Sequence, residues 1–356
     1  MDSHSRFHIV WCDSLGAKSF SFAIETHKGY ILIDPGAAAL QPSYPLDPDA
    51  KRKLRRRAVG EIEKYARRSK IVIITHYHYD HHILPSDKDL SHNIYMRKKL
   101  FVKNPNIYIN KSQWKRARLF LSELLSIIGE NLEKYQELPP DIELPDPIET
   151  LDHALSKDFG DYNTRRKELL EKGKEWFRRL KRLWLKNKWV REIHADQFEI
   201  HWAENRTIKY GGIVIKFLEP WYHGIEYDRT GWVVPLIIDT GNKRIFYTSD
   251  VMGPIIEDYA YYIADSKPDI LLLDGPPTYL YPYMFNKINL NRAIENIIYI
   301  IDQRPELIIY DHHLLRDPNW KKYVEKVVEH ANKKKVLLRT CRDIKTCSLA
   351  NGVVLP

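Results

Sequence analysis

A short apolar strand that runs into a cluster of histidines is the feature that most constrains this chain. Residues 70–74 are apolar on both faces, as a central strand of a covered sheet would be. They lead directly into a Thr-His-Tyr-His-Tyr-Asp-His-His run at residues 75–82. Positions i and i+2 of an extended backbone project to the same side, so His76 and His78 can converge on one point. Imidazole and carboxylate groups suit zinc and similar divalent metals. The candidate metal ligands of this run are His76, His78, Asp80 and His81.

A structural interpretation of the same run is a loop tip rich in histidine, or a helix whose N-terminus is capped by Asp80. Four ligand-type side chains within six residues, directly after such a strand, favour the metal site. His82 is one imidazole more than the site needs, and we interpret it as a structural or supporting residue.

The pattern along the chain predicts one α/β domain interrupted by an insertion. Strands and turns alternate in the first hundred residues, with a helical pattern over residues 49–69, and the strand pattern returns after residue 211. Between them lie long, charged helical stretches broken by prolines. We therefore expect a main domain of residues 1–100 and 206–356, with an inserted helical, basic segment at residues 101–205.

Five segments of the chain resemble the metallo-β-lactamase superfamily, and they occur in that family's order. The resemblance covers residues 7–95 and 208–335, and within the superfamily it is to an uncharacterised branch of predicted hydrolases. It implies a four-layer αβ/βα sandwich with a helical insertion. The segments are residues 31–36, 75–81, 219–224, 247–250 and 308–313.

The same resemblance implies a complete set of ligands for two metal ions. One ion would take His76, His78 and His223, the other would take Asp80, His81 and His312, and Asp250 would bridge the two. Asp34 would brace the metal loop.

Some of these assignments have alternatives that the sequence leaves open. A lone His223 could merely bond the backbone, and Asp250 could cap a helix. His312 and His313 compete for one ligand position, because alternate residues of a strand face opposite sides. Asp274 could support the site through hydrogen bonds or could simply form a turn before Gly275 and Pro276.

The implied chemistry is hydrolysis. The signature has His78 where the oxygen-reducing diiron branch of the superfamily has glutamate, which favours hydrolysis over redox chemistry. Two divalent ions about 3.5–4 Å apart would activate a bridging water or hydroxide and polarise the scissile group. We expect Zn²⁺, with Mn²⁺ or Fe²⁺ as alternatives. The catalytic candidates are Asp80 and Asp250, which would orient the nucleophile, and His313 as a proton donor.

The charge distribution suggests one class of substrate. The net charge is +9, and residues 163–192 hold twelve lysines and arginines against four acidic residues. Aromatic side chains lie among these cations at Trp176, Phe177, Trp184 and Trp189. Cations with interleaved aromatic rings suit phosphates and stacked bases, which predicts a phosphodiester or nucleic-acid substrate. The alternative is that the rings anchor the inserted helices while the cations stay solvated.

Two further functional hypotheses remain open. The chain could hydrolyse a small thioester, lactone or carboxyl ester, with the insertion serving as a lid or as a contact in a homodimer. It could instead be a nucleic-acid-binding protein with a vestigial metal site, although the complete ligand set argues against decay.

Composition yields predictions about the cellular compartment and the growth temperature of the source organism. The chain has no run of about 18 uncharged apolar residues, so no membrane span is expected, and residues 1–10 lack the apolar core of a signal peptide. Three scattered cysteines favour buried free thiols in a reducing cytoplasm, with a Cys341–Cys347 pair as the alternative. Scarce glutamine with abundant lysine, glutamate and arginine favours a thermophile.

Overall fold

The computed structural model describes residues 6–346 and contains two seven-stranded sheets. The strands are β1 (Arg6–Cys12), β2 (Phe20–Thr26), β3 (Gly29–Ile33), β4 (Ser69–Ile74), β5 (Lys98–Val102), β6 (Gln136–Glu137), β7 (Trp189–Val190), β8 (Ile193–Ala195), β9 (Phe198–Trp202), β10 (Thr207–Tyr210), β11 (Ile213–Phe217), β12 (Trp221–Tyr222), β13 (Trp232–Val233), β14 (Leu236–Asp239), β15 (Arg244–Tyr247), β16 (Ile270–Asp274), β17 (Leu307–Asp311) and β18 (Leu337–Arg339). The helices are α1 (Pro48–Arg68), α2 (Lys111–Ser126), α3 (Asp152–Ser156), α4 (Tyr162–Lys186), α5 (Glu257–Asp265), α6 (Lys287–Asp302), α7 (Glu325–Lys334) and α8 (Cys341–Thr346).

Both sheets are mixed, with a parallel centre. The first has the order β1-β2-β3-β4-β5-β9-β8, in which β3, β4, β5 and β9 are parallel neighbours. The second has the order β10-β11-β14-β15-β16-β17-β18, parallel from β15 onward. Parallel strands end at one edge of their sheet, so the loops that follow β3, β4, β15, β16 and β17 are brought close together.

The two sheets pack face to face, and helices cover their outer faces. Side chains of both sheets form the central core, among them Phe22, Ile73, Phe217 and Leu272. Helix α1 packs on the first sheet, and buried residues of α5, α6 and α7 cluster with residues of the other sheet that point away from the central core, such as Leu271 and Ile308. The architecture is the four-layer α/β sandwich expected from the sequence.

Helix α1 shows how local sequence sets these elements. The Asp47 side chain accepts hydrogen bonds from the first turn, and Pro48 begins the helix without needing a donor of its own. Its buried stripe, which includes Ala58 and Ile62, lies against the first sheet. Ser69, in extended conformation, ends the helix and begins β4.

The helical insertion is shorter than the interval 101–205. Strands β8 and β9, near its end, join the first sheet beside β5. Within α2 the buried stripe contains Phe120, Leu121 and Leu124, whereas Leu119 is exposed, as is Ile127, which follows the helix. From sequence, Leu119, Leu124, Ile127 and Ile128 predict an amphipathic helix here, which is confirmed, but Leu119 and Ile127 do not belong to its buried face.

Aromatic rings of α4 fix the insertion to the main domain. Trp176 stacks on Trp232 with ring centroids 5.5 Å apart and planes 6° apart. Trp184 is fully buried and Phe177 nearly so, and both contact the same ring of Trp232. These rings are therefore occupied by internal packing, and they are not free to stack on bases.

A buried ion-pair network joins the same two parts of the chain. Arg166 of α4 and Arg292 of α6 both donate to Glu226, at 2.9 and 2.8 Å, and Arg292 also donates to Glu257 at 2.6 Å. The network lies three residues beyond His223, so the insertion is attached next to the predicted site.

Two expectations are wrong. Cys12 and Cys341 form a disulfide, since the end of β1 and the start of α8 both lie against Asp311, whereas Cys347 lies outside the described residues. The pair Asp317 and Pro318 predicts the start of a helix, but the helix begins only at Glu325, and a 3-10 turn over Trp320–Tyr323 lies between them. Among residues 6–346, none of the helices has the length and apolar content needed to cross a membrane.

Candidate metal centre

The ends of four strands bring the candidate ligands together. The loop after β4 carries His76, His78, Asp80 and His81, and β12 is followed directly by His223. Asp250 follows β15 by three residues, and β17 is followed by His312 and His313. The seven proposed ligands are buried or, for His78, half-buried.

Asp250 lies between two groups of imidazoles. Its Oδ2 atom is 3.4 Å from Nε2 of His76 and 3.1 Å from Nε2 of His223. Its Oδ1 atom is 2.9 Å from Nε2 of His81 and 3.1 Å from Nε2 of His312. One carboxylate oxygen therefore faces each group, as a ligand bridging two ions requires.

The remaining ligand atoms complete the two groups. Nδ1 of His78 lies 3.1 Å from Nε2 of His76. Asp80 joins His81 and His312 in a set whose ligand atoms all lie within 4.8 Å of one another. The first group is thus His76, His78, His223 and Asp250, and the second is Asp80, His81, His312 and Asp250.

Unsatisfied polar atoms show that this donor set fits metal ions. Both oxygens of Asp250 and both ring nitrogens of His223 are buried, and although they lie close to one another and to other imidazoles, none of them forms a hydrogen bond with acceptable angles. A buried polar group without a partner costs about 1–3 kcal/mol, and more when it is charged. Imidazole nitrogens and a bridging carboxylate, aimed at shared points, are the donors that divalent transition metals take.

Asp34 holds the metal loop to the first sheet. Its Oδ1 accepts from the Thr75 amide at 2.7 Å, and its Oδ2 accepts from Nδ1 of His81 at 2.8 Å. The hydroxyl of Tyr247 donates to the same Oδ2 at 2.6 Å. Fixing Nδ1 of His81 leaves Nε2 to face Asp250, which is the supporting role that the resemblance implies for Asp34.

Gly36 lets the backbone come close to this loop. A Cβ atom at that position would lie 2.1 Å from the amide nitrogen of His81 and 2.2 Å from the carbonyl carbon of Asp80. Only glycine can occupy this place without moving the metal loop.

Sequence reasoning missed Asp13 and Arg316. Asp13 Oδ1 lies 2.8 Å from Nδ1 of His312, and its Oδ2 accepts from Nε of Arg316 at 2.8 Å. Arg316 also donates to Asp80 at 2.7 Å. Asp13 is 299 residues from His312 and has no local signature, whereas Arg316 is four residues beyond His312 and could have been considered.

Gln113 was missed as well, and it comes from the insertion. This fully buried side chain accepts from the Tyr77 amide at 3.0 Å and donates to the carbonyl of Thr230 at 2.6 Å. Its Nε2 also lies 3.4 Å from Nε2 of His78. The insertion therefore contributes to the walls of the centre.

His312 and His313 take different positions. His312 has a positive φ of 65°, which turns its ring toward Asp250 and the second group. Nδ1 of His313 lies 3.0 Å from both carboxylate oxygens of Asp274. His313 also has a ring nitrogen within 4.8 Å of candidate ligand atoms of Asp250 and His312. Asp274 thus holds His313 at the edge of the centre. Of the two roles that the sequence left open for Asp274, the structure shows the supporting hydrogen bonds.

His82 is not part of either group of candidate ligands. Its Nδ1 lies 2.9 Å from the carbonyl of His78, and its ring packs edge-on against Phe120 of α2. It belongs to the packing under the loop.

Burial and neighbouring charges shift the pKa values of this cluster in opposite directions. Burial lowers the pKa of His76 to about 4, with a further contribution from His81. Burial alone would also lower the pKa of His81, but Asp250 and Asp34 raise it to about 10. Burial, followed by the charge of Asp250, raises the pKa of Asp274 to about 7. Close, unequal carboxylates and imidazoles of this kind are typical of functional centres.

A family model matches the part of the chain that contains the metal loop. Residues 16–82, which span Asp34 and the metal loop, match the family model of the Metallo-beta-lactamase superfamily. The metallo-beta-lactamase fold protein YhfI from Bacillus subtilis aligns over 96% of this chain and 97% of its own, with a TM-score of 0.43 and 11% identity.

More similar relatives give the particular family. A UPF0282 protein of Methanocaldococcus jannaschii is 30% identical over 341 residues, which cover 93% of this chain and 92% of the relative. A UPF0282 protein of Korarchaeum cryptofilum is 30% identical over 328 residues, covering 91% and 85%. The chain belongs to the UPF0282 family.

Proposed function

We propose that the chain is a metal-dependent hydrolase with a dinuclear centre. The observation that carries the proposal is the position of Asp250, whose two oxygens face two separate groups of imidazoles. His76, His78 and His223 would hold one divalent cation, and Asp80, His81 and His312 would hold the other. Zn²⁺ is the first candidate for both, with Mn²⁺ and Fe²⁺ as alternatives.

Cations bound there would supply Lewis-acid chemistry, acidifying a water for attack and polarising the scissile group. The chain's own groups do the rest. Asp250 and Asp80 balance the positive charge and fix the direction of attack. His313, oriented by Asp274 at 3.0 Å, is placed to deliver a proton to the leaving group.

Burial of the centre supports a small substrate. His76, His81, His223, Asp250 and His312 are at most 1% exposed, so a reacting bond must approach from the side of His78 and Asp80. A thioester, lactone or small ester can reach such a site more easily than a long polymer can. The buried ion pairs of Glu226 also support an insertion that forms a fixed wall, in place of the moving lid considered from sequence.

A phosphodiester substrate is the second candidate, and charge supports it. The cations of residues 163–192 remain, including Arg178 and Lys181 beside a cleft of about 990 Å³ in the insertion. Acidic side chains such as Glu149 and Glu171 line the same cleft, which weakens its attraction for a polyanion. Because the rings of α4 are packed internally, binding of a phosphodiester, or of a nucleic acid in the alternative hypothesis, would depend on contacts between the cations and phosphates alone. The homodimer, cytoplasmic and thermophile predictions stay predictions.

The test is a substrate panel run on the reconstituted protein. Metal-free chain is loaded with Zn²⁺, Mn²⁺ or Fe²⁺ and assayed on phosphodiester, thioester, lactone and carboxyl ester substrates. We expect about two cations per chain and loss of hydrolysis in Asp80→Ala. Asp87→Ala is the matched control, because Asp87 pairs with Arg55 outside the centre. Unchanged hydrolysis in Asp80→Ala would reject the proposal. Salt-sensitive retention on heparin would favour the phosphodiester candidate.

A further inference from the structure

Arg316 lies inside the candidate metal centre. Its side chain is 6% exposed and is held between two carboxylates, with Nε donating to Asp13 and Nη2 donating to Asp80. The same Nη2 atom lies 3.2 Å from Nε2 of His312. A guanidinium stays charged at every pH at which the protein is folded, so this is a permanent cation.

The atoms that Arg316 contacts are those that the second cation would use. Nδ1 of His312 is engaged by Asp13 at 2.8 Å, so Nε2 is the ring atom left to bind a metal. That Nε2 and one oxygen of Asp80 both face Nη2 of Arg316. Two of the four groups around the second position are thus shared with a fixed positive charge.

The surroundings of the first position differ. His76 and His78 contact each other, and His223 contacts Asp250. Nε2 of His78 faces the neutral amide of Gln113 at 3.4 Å. The groups at the first position therefore meet imidazoles, a carboxylate and an amide, whereas those at the second also meet a guanidinium.

We infer that Arg316 makes the two cation sites unequal, so that the second site, at Asp80, His81 and His312, binds its ion more weakly than the first. The inference rests on the proposed dinuclear centre. Two effects produce it: the guanidinium repels a divalent cation at short range, and it occupies an oxygen of Asp80. Arg316 is a positioning residue that sets the metal concentration at which the centre is fully loaded.

Two substitutions separate the charge of Arg316 from its hydrogen bonds. Arg316→Gln removes the charge and leaves Asp13 and Asp80 as uncompensated carboxylates, which should attract the second cation. Arg316→Lys keeps the charge and loses the forked contact. If the arginine served only to hold Asp80 in place, both substitutions would weaken the second site.

The experiment is a titration of metal-free protein with Zn²⁺ against a competing chelator. In wild type we expect two affinities that differ by about tenfold or more. In Arg316→Gln the second affinity should rise by about tenfold or more, and in Arg316→Lys the difference should persist. Two equal affinities in wild type, or a second site in Arg316→Gln that is unchanged or weaker, would overturn the inference.

Circular dichroism of the metal-free protein will reveal whether Arg316→Gln folds. If it does not fold, equal affinities in the wild-type titration still overturn the inference, and Arg316→Lys still tests the effect of the retained charge. Failure here is distinguishable from failure of the proposed function. A chain that binds two cations equally and hydrolyses a substrate keeps its proposed function and rejects only the role of Arg316. A chain that binds no cation rejects both.

Discussion

Oδ1 of Asp13 lies 2.8 Å from Nδ1 of His312, although the two residues are 299 positions apart in the chain. Burial alone would raise the pKa of Asp13, but Arg316 and then His312 lower it to about 2, so the carboxylate is ionised. An ionised carboxylate on Nδ1 fixes the imidazole tautomer and leaves Nε2 toward Asp250. The turn that follows the first strand thereby orients a ligand supplied by the last hundred residues of the chain.

Asp13→Asn is therefore expected to weaken cation binding. The amide cannot hold the imidazole as an anion does, and loss of such a supporting group costs about 10–100-fold in metal affinity. Chelator competition measures the affinity. Asp146→Asn is the control, because Asp146 of the insertion accepts a hydrogen bond from Tyr227 and not from a proposed ligand, so the substitution should leave metal affinity as it is. Equal affinities in the two variants would contradict the prediction.

His313→Gln is expected to separate catalysis from metal loading. If His313 transfers a proton, its loss should lower kcat by about 10²–10⁴-fold while the protein keeps its cations. Activity and metal content are measured on the same sample. His82→Gln is the matched control, because His82 packs beneath the loop, and it should change kcat far less. Loss of one cation in His313→Gln would make His313 a ligand instead.

Gly36→Ala is expected to displace the metal loop. Its Cβ would meet backbone atoms of Asp80 and His81 at 2.1–2.4 Å, and overpacking of this kind costs about 1–3 kcal/mol. We expect lower stability, measured by urea unfolding, together with loss of cation binding. In the control, Gly60→Ala, the new Cβ meets nothing within 4 Å, and the helix α1 should gain up to about 1 kcal/mol. Wild-type cation affinity in Gly36→Ala would count against the assigned loop geometry.

Glu226 is expected to make stability fall in acid. Burial alone would raise its pKa, but Arg292 and then Arg166 lower the pKa to about 2 from an ordinary value of 4.5. A group whose pKa is lower in the folded state than in the unfolded state stabilises the folded state at pH values above its unfolded pKa. That contribution, about 3 kcal/mol, is lost as the pH falls from about 4.5 toward 2.

Urea unfolding between pH 3 and 7 measures this effect. The free energy of unfolding should depend more steeply on pH below 4.5 in wild type than in Glu226→Gln, which cannot be protonated there. Glu168→Gln removes an exposed pair with Arg165 and should alter stability by less than about 1 kcal/mol at any pH. Parallel pH profiles for wild type and Glu226→Gln would show that Glu226 lacks this role.

Reduction is expected to destabilise the protein. The Cys12–Cys341 bond closes a loop of almost the whole chain, with a sequence separation of 329, and its loss should cost about 2–5 kcal/mol. Urea unfolding with and without dithiothreitol measures the cost. Dithiothreitol should have no further effect on Cys12→Ala, and an equal effect on both proteins would mean that the bond is absent in solution.

Local patterns in the sequence were sufficient to predict most secondary-structure elements and the types of candidate ligand. The apolar residues 70–74 and the histidines after them are adjacent in the chain, so the strand and the metal loop could be predicted together. Helix α1 has its cap, its buried stripe and its end between Asp47 and Ser69, and its bounds were predicted to within one residue. Leu119 was misassigned because the periodicity of α2 admits more than one face, and only packing selects among them.

The tertiary structure decided which atoms meet. Asp13 and Gln113 reach the centre from a strand end and from the insertion, and the Cys12–Cys341 pair joins opposite ends of the chain. Such contacts depend on how two sheets stack and leave no periodic trace in sequence. The positive φ of His312, which separates its role from that of His313, is likewise set by the hydrogen bonds of Asp311, Asp13 and Asp274 around it. The sequence determined which chemical groups this protein has, because each side chain is specified at its own position. Folding determined how those groups are arranged, because residues far apart in the chain become neighbours only in the tertiary structure.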